Sequence, residues 1–387
     1  MRIHTHLIQR GKTFAPSTPS WAEISLKALQ HNFLELKRLA GDAEVLPVVK
    51  ANAYGHGLVP VSKALVGAGA KALAVATVRE GVTLRNAVVT CPILVLTPTL
   101  PAEIPTLLQY CLTPQVSSVE GARELAKVAK QMKVSRVPIH LKLDTGMGRV
   151  GVRVERAVRE FDAIRRMPGI RVDAVYTHLA TADWLDPKYA WKQITLFKQA
   201  LDGFRKISGG KTFQSHMANS AALLAYYPQS AGTWVRPGLA LYGVYPNQNL
   251  RSKAKLIPVM QVKTRIIHLK ALDKGQSVSY GRTYTAKKPI KVATLSLGYA
   301  DGVQRVLSNK AHFLVRGKRV PVIGRVCMDM TLIDVSKVPG VKLGDIATFF
   351  GRDGKTVLSV NEQATLAGTI SYELLCAVGE RVPRIYV

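Results

Sequence analysis

Apolar residues along this chain follow two rhythms, and the change between them falls near residue 250. In the first part, short β-branched runs alternate with stretches of helical spacing. After Ser25, a residue suited to cap a helix, apolar positions recur at Leu26, Leu29, Phe33 and Leu36, the spacing of one helix face. Apolar strand runs are predicted to begin near Val45, Ala72, Ile93, Cys111, Ile139, Val172, Phe213 and Trp234. Helical stretches separate most of them, as over 119–132 and 187–206. Eight strand-then-helix units over about 220 residues predict an α/β fold, a TIM-like (β/α)8 barrel.

The second rhythm is that of strands and turns. Arg251 to Lys255 is basic and polar, and Pro258 follows. From Val259 onward, strand-like runs are divided by Asp273-Lys274-Gly275, Arg316-Gly317-Lys318 and Arg352-Asp353-Gly354-Lys355. Only 361–368 reads clearly as a helix. The expected organisation is a flexible N-terminal tail over 1–20, the barrel over 21–250 and a mostly-β domain over 251–387.

Composition agrees with a two-domain globular chain: 387 residues, 47% hydrophobic and 20% charged. No apolar run reaches the eighteen or so residues of a membrane span, so no membrane partner is expected. Residues 1–20 hold Arg2, Arg10 and Lys12, no acid and no continuous apolar stretch. A secretory signal is not expected, and a transit-like peptide is the alternative. The net charge of +29 sets 54 Lys and Arg against 25 Asp and Glu, mainly a shortage of acids. The basic residues are dispersed, without a stripe, a motif or an aromatic stacking platform. A specific nucleic-acid partner is therefore not expected, although nonspecific adhesion to polyanions at low salt is. Cys91, Cys111, Cys327 and Cys376 have no zinc-like spacing, so no metal is expected. Free thiols in a reducing, cytoplasmic setting are the expectation.

Chemistry concentrates where the predicted strands stop. Val48-Val49-Lys50 ends a β-branched run and meets Ala51-Asn52-Ala53-Tyr54-Gly55-His56-Gly57. An amine delivered to the edge of a barrel sits in poor dielectric, which frees its lone pair for Schiff-base chemistry. The alternative is a strand-end lysine reaching solvent along its stem. Lys142 and Asp144 close the fifth strand, in Lys142-Leu143-Asp144-Thr145-Gly146-Met147-Gly148-Arg149. His178 closes the sixth, Asn219-Ser220 follow the seventh, and Arg236-Pro237-Gly238-Leu239 lies on the eighth. In a barrel of this kind the active end is the C-terminal end of the strands. Taken singly, Asn219-Ser220 also reads as a helix cap, Arg236 as a salt-bridge partner and His178 as a structural histidine.

The segment Val49–Gly57 resembles the pyridoxal 5'-phosphate (PLP) lysine motif of the alanine racemase family. The barrel segments above resemble that family too. So do Ser277-Val278-Ser279-Tyr280-Gly281, Gly298-Tyr299-Ala300-Asp301-Gly302, Gly324-Arg325-Val326-Cys327-Met328-Asp329 and Ile370-Ser371-Tyr372-Glu373. The resemblance runs from about residue 21 to the C-terminus; the N-terminal tail and the basic composition depart from it. It implies a PLP-dependent enzyme that interconverts L- and D-alanine and supplies D-alanine for peptidoglycan. It also implies a homodimer with shared active sites. Lys50 would carry PLP, the electron sink that makes an amino-acid Cα–H acidic. Ser220, Gly238 and Leu239, with Tyr54 and Tyr372, would bind its phosphate; Asn219 belongs to the same shell. Arg236 would face the pyridine nitrogen without passing it a proton, because arginine stays protonated. His178 would lie by the ring and hydrogen-bond toward Arg236.

Tyr280, reaching in from the second subunit, would pair with Lys50 as the second acid/base group, on the other face of the carbanion. Arg149 and Met328, with Asp329 beside it, would hold the substrate carboxylate. Tyr299 and Tyr372 would narrow the pocket toward a methyl side chain. Lys142 would be carbamylated. A broad-specificity amino-acid racemase is the near alternative. A PLP-dependent decarboxylase and a single-barrel PLP carrier are the more distant ones.

Overall fold

The structure, a computed structural model, describes residues 17–387, which divide into two compact units. The larger covers Ile24–Met260, Gly368–Val378 and Tyr386–Val387. The eight strands of its ring are Glu44–Val45, Leu73–Val75, Ile93–Pro98, Thr113–Val116, Val137–Asp144, Ile170–Tyr176, Gln214–His216 and Trp234–Val235, and a short ninth, Val152–Arg153, pairs with the fifth off the ring. The eight pair in parallel in chain order, and the eighth pairs with the first through Trp234↔Glu44 and Val235↔Val45. A parallel bridge between Val48 and Ala74 joins the first strand to the second and closes the ring. The predicted barrel is therefore the observed one, and the predicted strand starts fall within a few residues of the observed starts.

The local reasons are those of the sequence. Ser25 Oγ accepts the Ala28 N–H (3.2 Å) and caps the helix Leu26–Leu39, which buries Leu29, Phe33 and Leu36. Helices Val119–Gln131 and Lys188–Ile207 stand where the spacing predicts them. Strands covered on both faces read as continuous apolar runs, as at Leu73, Ala74 and Val75, all buried.

The smaller unit includes Gln261–Ala367, Gly379–Ile385 and, among the described N-terminal residues, those from 17 to Glu23. It is mostly β. Its main sheet runs Lys318–Pro321, His312–Val315, Ile346–Asp353, Met260–Leu272, Ser20–Ile24 and Arg384–Tyr386. Strand Ile290–Leu295 pairs with Met260–Leu272 and with Thr331–Asp334. Leu272, Val278, Ala286, Ile290, Val292 and Ile323 form one of its core clusters.

Three boundaries differ from those read in the sequence. Residues 1–16 of the expected tail lie outside the described residues, but Ser20 opens a strand. Its hydroxyl meets Thr264 Oγ1 at 2.8 Å, and Ala22 N–H donates to Pro383 O at 2.9 Å. Residues 21–23 therefore belong with the β unit, because their partners come from the far end of the chain. The division near 250 moves to 260. Gly368–Val378, expected in the β domain, belongs to the barrel unit and carries a second helix, Ser371–Cys376, that the sequence reading missed. Six residues are too few for an apolar period to register.

Candidate active site

Lys50 stands two residues beyond the Val48 bridge, at the C-terminal rim of the barrel. Val49 N–H donates to Ala74 O (2.8 Å) and Val48 N–H to Pro237 O (3.0 Å), so neighbouring strands on both sides hold its backbone. Burial pushes the Lys50 amine below the ordinary lysine range. The cation of Arg149 adds to this, and the carboxylate of Glu80 opposes it. The chain then turns through Ala51, Asn52, Ala53 and Tyr54, all with φ between 52° and 54°. Tyr54 is thereby buried against Tyr242, with ring centroids 4.8 Å apart, and 6.0 Å from the ring of Tyr372. Burial raises the Tyr54 phenol and pushes that of Tyr372 up to about 12, so both are hydrogen-bond donors at neutral pH.

Opposite this turn, Ser220 Oγ accepts the backbone N–H groups of Gly238 (2.9 Å) and Ala240 (3.1 Å). A Cβ at Gly238 would lie 2.3 Å from Tyr54 Oη, so only glycine lets the tyrosine hydroxyl come this close to the backbone. Asn219 keeps its cap role: Oδ1 accepts the Ala222 N–H at 2.9 Å. Leu239 is buried and opens the short turn Leu239–Tyr242.

Arg236, 4% exposed, follows the eighth strand by one residue. Its Nη1 donates to His216 Nδ1 (2.6 Å) and to His216 O (2.9 Å); its Nη2 donates to Thr177 O (2.7 Å) and reaches His178 Nδ1 at 3.4 Å. Burial lowers the guanidinium to about 10, which leaves it charged at neutral pH. Because arginine only donates, His216 Nδ1 must accept. Its proton then sits on Nε2, which faces His140 Nδ1 at 2.9 Å. Burial and the Arg236 cation hold His178 and His216 well below the usual imidazole range.

Lys142 lies within the fifth strand, 5% exposed, its Nζ 5.4 Å from the centre of the Tyr176 ring. Burial, with Arg149 and Arg236 nearby, pushes its amine down to about 8 against the pull of Asp144. Asp144 closes that strand, and its Oδ1 accepts the N–H groups of Gly146 (2.9 Å) and Gly148 (3.0 Å). This shapes the loop that presents the exposed Arg149.

The remaining predicted residues form a separate set within the β unit. Tyr280 is 70% exposed and follows Ser279, whose left-handed φ of 63° is held by a 2.5 Å hydrogen bond from Oγ to Arg325 O. Tyr299 N–H donates to Cys327 O (2.9 Å) and Ala300 N–H to Met328 O (3.0 Å), which fastens the Tyr299 and Met328 segments together. Met328 is 52% exposed. The Asp329 carboxylate pairs with Arg381 at 2.8 Å, and Arg381 also meets Asp301 at 3.0 Å.

A family model described as alanine racemase, N-terminal domain, matches residues 24–246, and one described as alanine racemase, C-terminal domain, matches 259–386. The chain belongs to the alanine racemase family. The alanine racemase of Halothermothrix orenii is 43% identical over 369 residues, 95% of this chain and 97% of that relative. The structure of alanine racemase from Bacillus anthracis with bound L-Ala-P superposes with a TM-score of 0.88 at 37% identity, covering 96% of each chain. That of alanine racemase from Bartonella henselae with covalently bound pyridoxal phosphate gives 0.86 at 26%, covering 96% of this chain and all of that one.

Several residues packed beside these side chains were not singled out in the sequence. His140, His216 and Tyr176 face the barrel interior beside Arg236 and Lys142; the Tyr176 and His216 rings stack at 4.6 Å. Their signal is the period of two along a strand: His140 precedes Lys142 by two positions, and Tyr176 precedes His178 by two. Gln193, from helix Lys188–Ile207, donates to His178 O (3.1 Å) and accepts the Ala180 N–H (2.8 Å), which holds the loop that carries His178. No sequence signal marks it. No helix among the described residues is long and apolar enough to cross a membrane.

Proposed function

We propose that this chain interconverts L- and D-alanine with PLP held on Lys50, in a homodimer in which Tyr280 of one copy serves the site of the other. The observation that carries the reading is the company of Lys50: a desolvated amine on the same barrel rim as a cradle of uncharged donors and a buried guanidinium. This donor set fits PLP. The backbone at Gly238 and Leu239, the Ser220 and Tyr54 hydroxyls and Tyr372 suit a phosphate, and the missing Cβ at Gly238 leaves the Tyr54 hydroxyl its room. When bound, PLP delocalises the electron pair left as Cα–H breaks.

The chain's own residues supply the rest. Lys50 Nζ exchanges a proton with Cα on one face, and the Tyr280 hydroxyl does so on the other. Arg236 donates hydrogen bonds to a ring nitrogen and withholds its proton. Two neutral histidines orient it. Arg149 and the backbone at Met328 take the substrate carboxylate, while Tyr299 and Tyr372 limit the side chain to a methyl group. Lys142 reacts through its free amine with carbon dioxide: an N–C bond forms, one proton leaves, and the resulting carbamate anion aligns Arg149. The product, D-alanine, serves peptidoglycan synthesis. Four free cysteines fit a cytoplasmic setting.

The test is an absorbance band of the purified protein near about 420 nm that borohydride removes, with the reduced cofactor then mapped to one peptide. Label on Lys50 is the expected result; label on any other lysine sinks the reading. Racemisation of alanine well above that of lysine or arginine distinguishes it from a broad-specificity racemase.

A further inference from the structure

Four consecutive non-glycine residues, Ala51 to Tyr54, adopt the left-handed conformation directly after Lys50. Each such residue is disfavoured, because its Cβ crowds the following carbonyl. A run of four persists only where its surroundings over-determine it. Two side-chain bonds pin the turn at its ends. Asn52 Oδ1 accepts the Leu58 N–H at 2.7 Å, at the far end. At the near end, Glu80 Oε1 accepts the Ala51 N–H at 2.6 Å. Ala51 is the residue next to Lys50, so this bond fixes the peptide plane from which the amine is hung.

Glu80 is itself immobilised. Its Oε2 accepts the N–H groups of Ala76 (2.8 Å) and Thr77 (3.2 Å), and its own N–H donates to Thr77 Oγ1 (3.2 Å). These bonds form the cap of helix Val78–Asn86. A capping glutamate needs only the bonds at its own helix end. Here the second oxygen reaches across to a different strand end. The same carboxylate opposes the cations that depress Lys50.

We infer that Glu80 is a positioning residue for Lys50: it holds the left-handed turn and so sets the place of the amine. The inference rests on the proposed role of Lys50. The test compares Glu80→Gln with Thr77→Ala in the full-length holoenzyme. Glutamine keeps the shape but cannot accept from both sides, whereas Thr77→Ala weakens the helix cap and leaves the Ala51 bond intact. Glu80→Gln is expected to lower kcat by about 10- to 100-fold through misplacement of the amine. It should also speed amide hydrogen exchange of the 51–54 segment by roughly tenfold or more. Thr77→Ala should do neither. Glu80→Asp keeps the charge but shortens the reach, and is expected to fall between them if the glutamine variant does not fold. Equal effects of Glu80→Gln and Thr77→Ala, or unchanged exchange over 51–54, would reduce Glu80 to a helix cap. The exchange readout does not depend on catalysis. If Lys50→Ala retained racemase activity, the proposed role of Lys50 would fail while the exchange result still judged the turn.

Discussion

In the barrel unit, Lys142 and Arg236 are 5% and 4% exposed and Lys50 is half-buried, while in the β unit Tyr280, Met328 and Tyr299 are 70%, 52% and 42% exposed. The barrel set is finished by its own unit. Burial and neighbouring cations tune each group, and backbone hydrogen bonds fix each position. The β-unit set is held by hydrogen bonds from the Ser279 hydroxyl and from the Tyr299 and Ala300 N–H groups, but the Tyr280, Met328 and Tyr299 side chains are exposed. The barrel set, then, owes its chemistry to desolvation, and the β-unit set is exposed in the single chain. A second copy of the chain is the cover proposed above.

The largest test of this contrast is Lys50→Ala. It removes a desolvated amine, so racemisation should fall by roughly 10⁴-fold. Removing a half-buried amine that makes no salt bridge among the described residues should leave the melting temperature of the cofactor-free protein unchanged or higher. A variant that unfolds instead would show that Lys50 is structural.

Tyr280→Phe strikes the exposed set. Racemisation should drop by about 10²–10⁴-fold with no change in stability, because the ring is exposed. Solvent deuterium should still enter Cα of D-alanine, served by Lys50, while exchange from L-alanine collapses. Equal loss for both enantiomers points to a single base.

The two variants together sharpen the comparison. Mixed after subunit exchange, inactive Lys50→Ala and inactive Tyr280→Phe chains should recover about a quarter of wild-type activity. Half of the dimers are then mixed, and one of the two sites in each is intact. No recovery with exchange proven by mass would mean that each site is built within one chain.

Lys142 probes the buried set more gently. Its amine is pushed down to about 8, so the neutral form that captures carbon dioxide grows as pH rises toward and past that value. Stripping bicarbonate should then lower activity by about 10- to 100-fold, about 1.5–3 kcal/mol for a lost charge-assisted hydrogen bond, and ¹³C-bicarbonate should restore it with a carbamate signal. A plain amine under bicarbonate, with activity unchanged, counts against the modification.

The smallest effect is on stability. Burial holds His140 down to about 4 and keeps His178 and His216 well below their ordinary range, so all three fold in the neutral form. Between about 6.5, where an unfolded imidazole titrates, and about 4, the unfolded chain binds protons that the fold does not. Stability should therefore be full above that window and fall as pH drops through it. His140→Gln should remove up to about one proton from the slope, read from denaturation midpoints across the window. An unchanged slope would mean that His140 is already charged in the fold.

Much of this molecule was legible along the chain, for reasons particular elements make plain. Ser25 with Leu29, Phe33 and Leu36 is a local signal, and so is each apolar strand run, because burial on both faces leaves no other composition available. Lys50, Lys142, His178 and Arg236 stood out as polar residues at predicted strand ends. Ser371–Cys376 was missed because one and a half turns carry no period. Residues 21–23 were read into the barrel, because the partners that place them with the β unit lie hundreds of residues away.

By itself the sequence determined the eight-strand barrel, the mostly-β remainder and the residue types that meet at the strand ends. All of these follow from interactions between near neighbours and from which side chains water excludes. Only the tertiary structure decided that His216 and His140 orient Arg236, that Glu80 clamps the turn after Lys50, and that Gly238 is where Tyr54 needs room. Each of those depends on parallel register or on a close approach between segments 20 to 190 residues apart, about which local pattern carries no information.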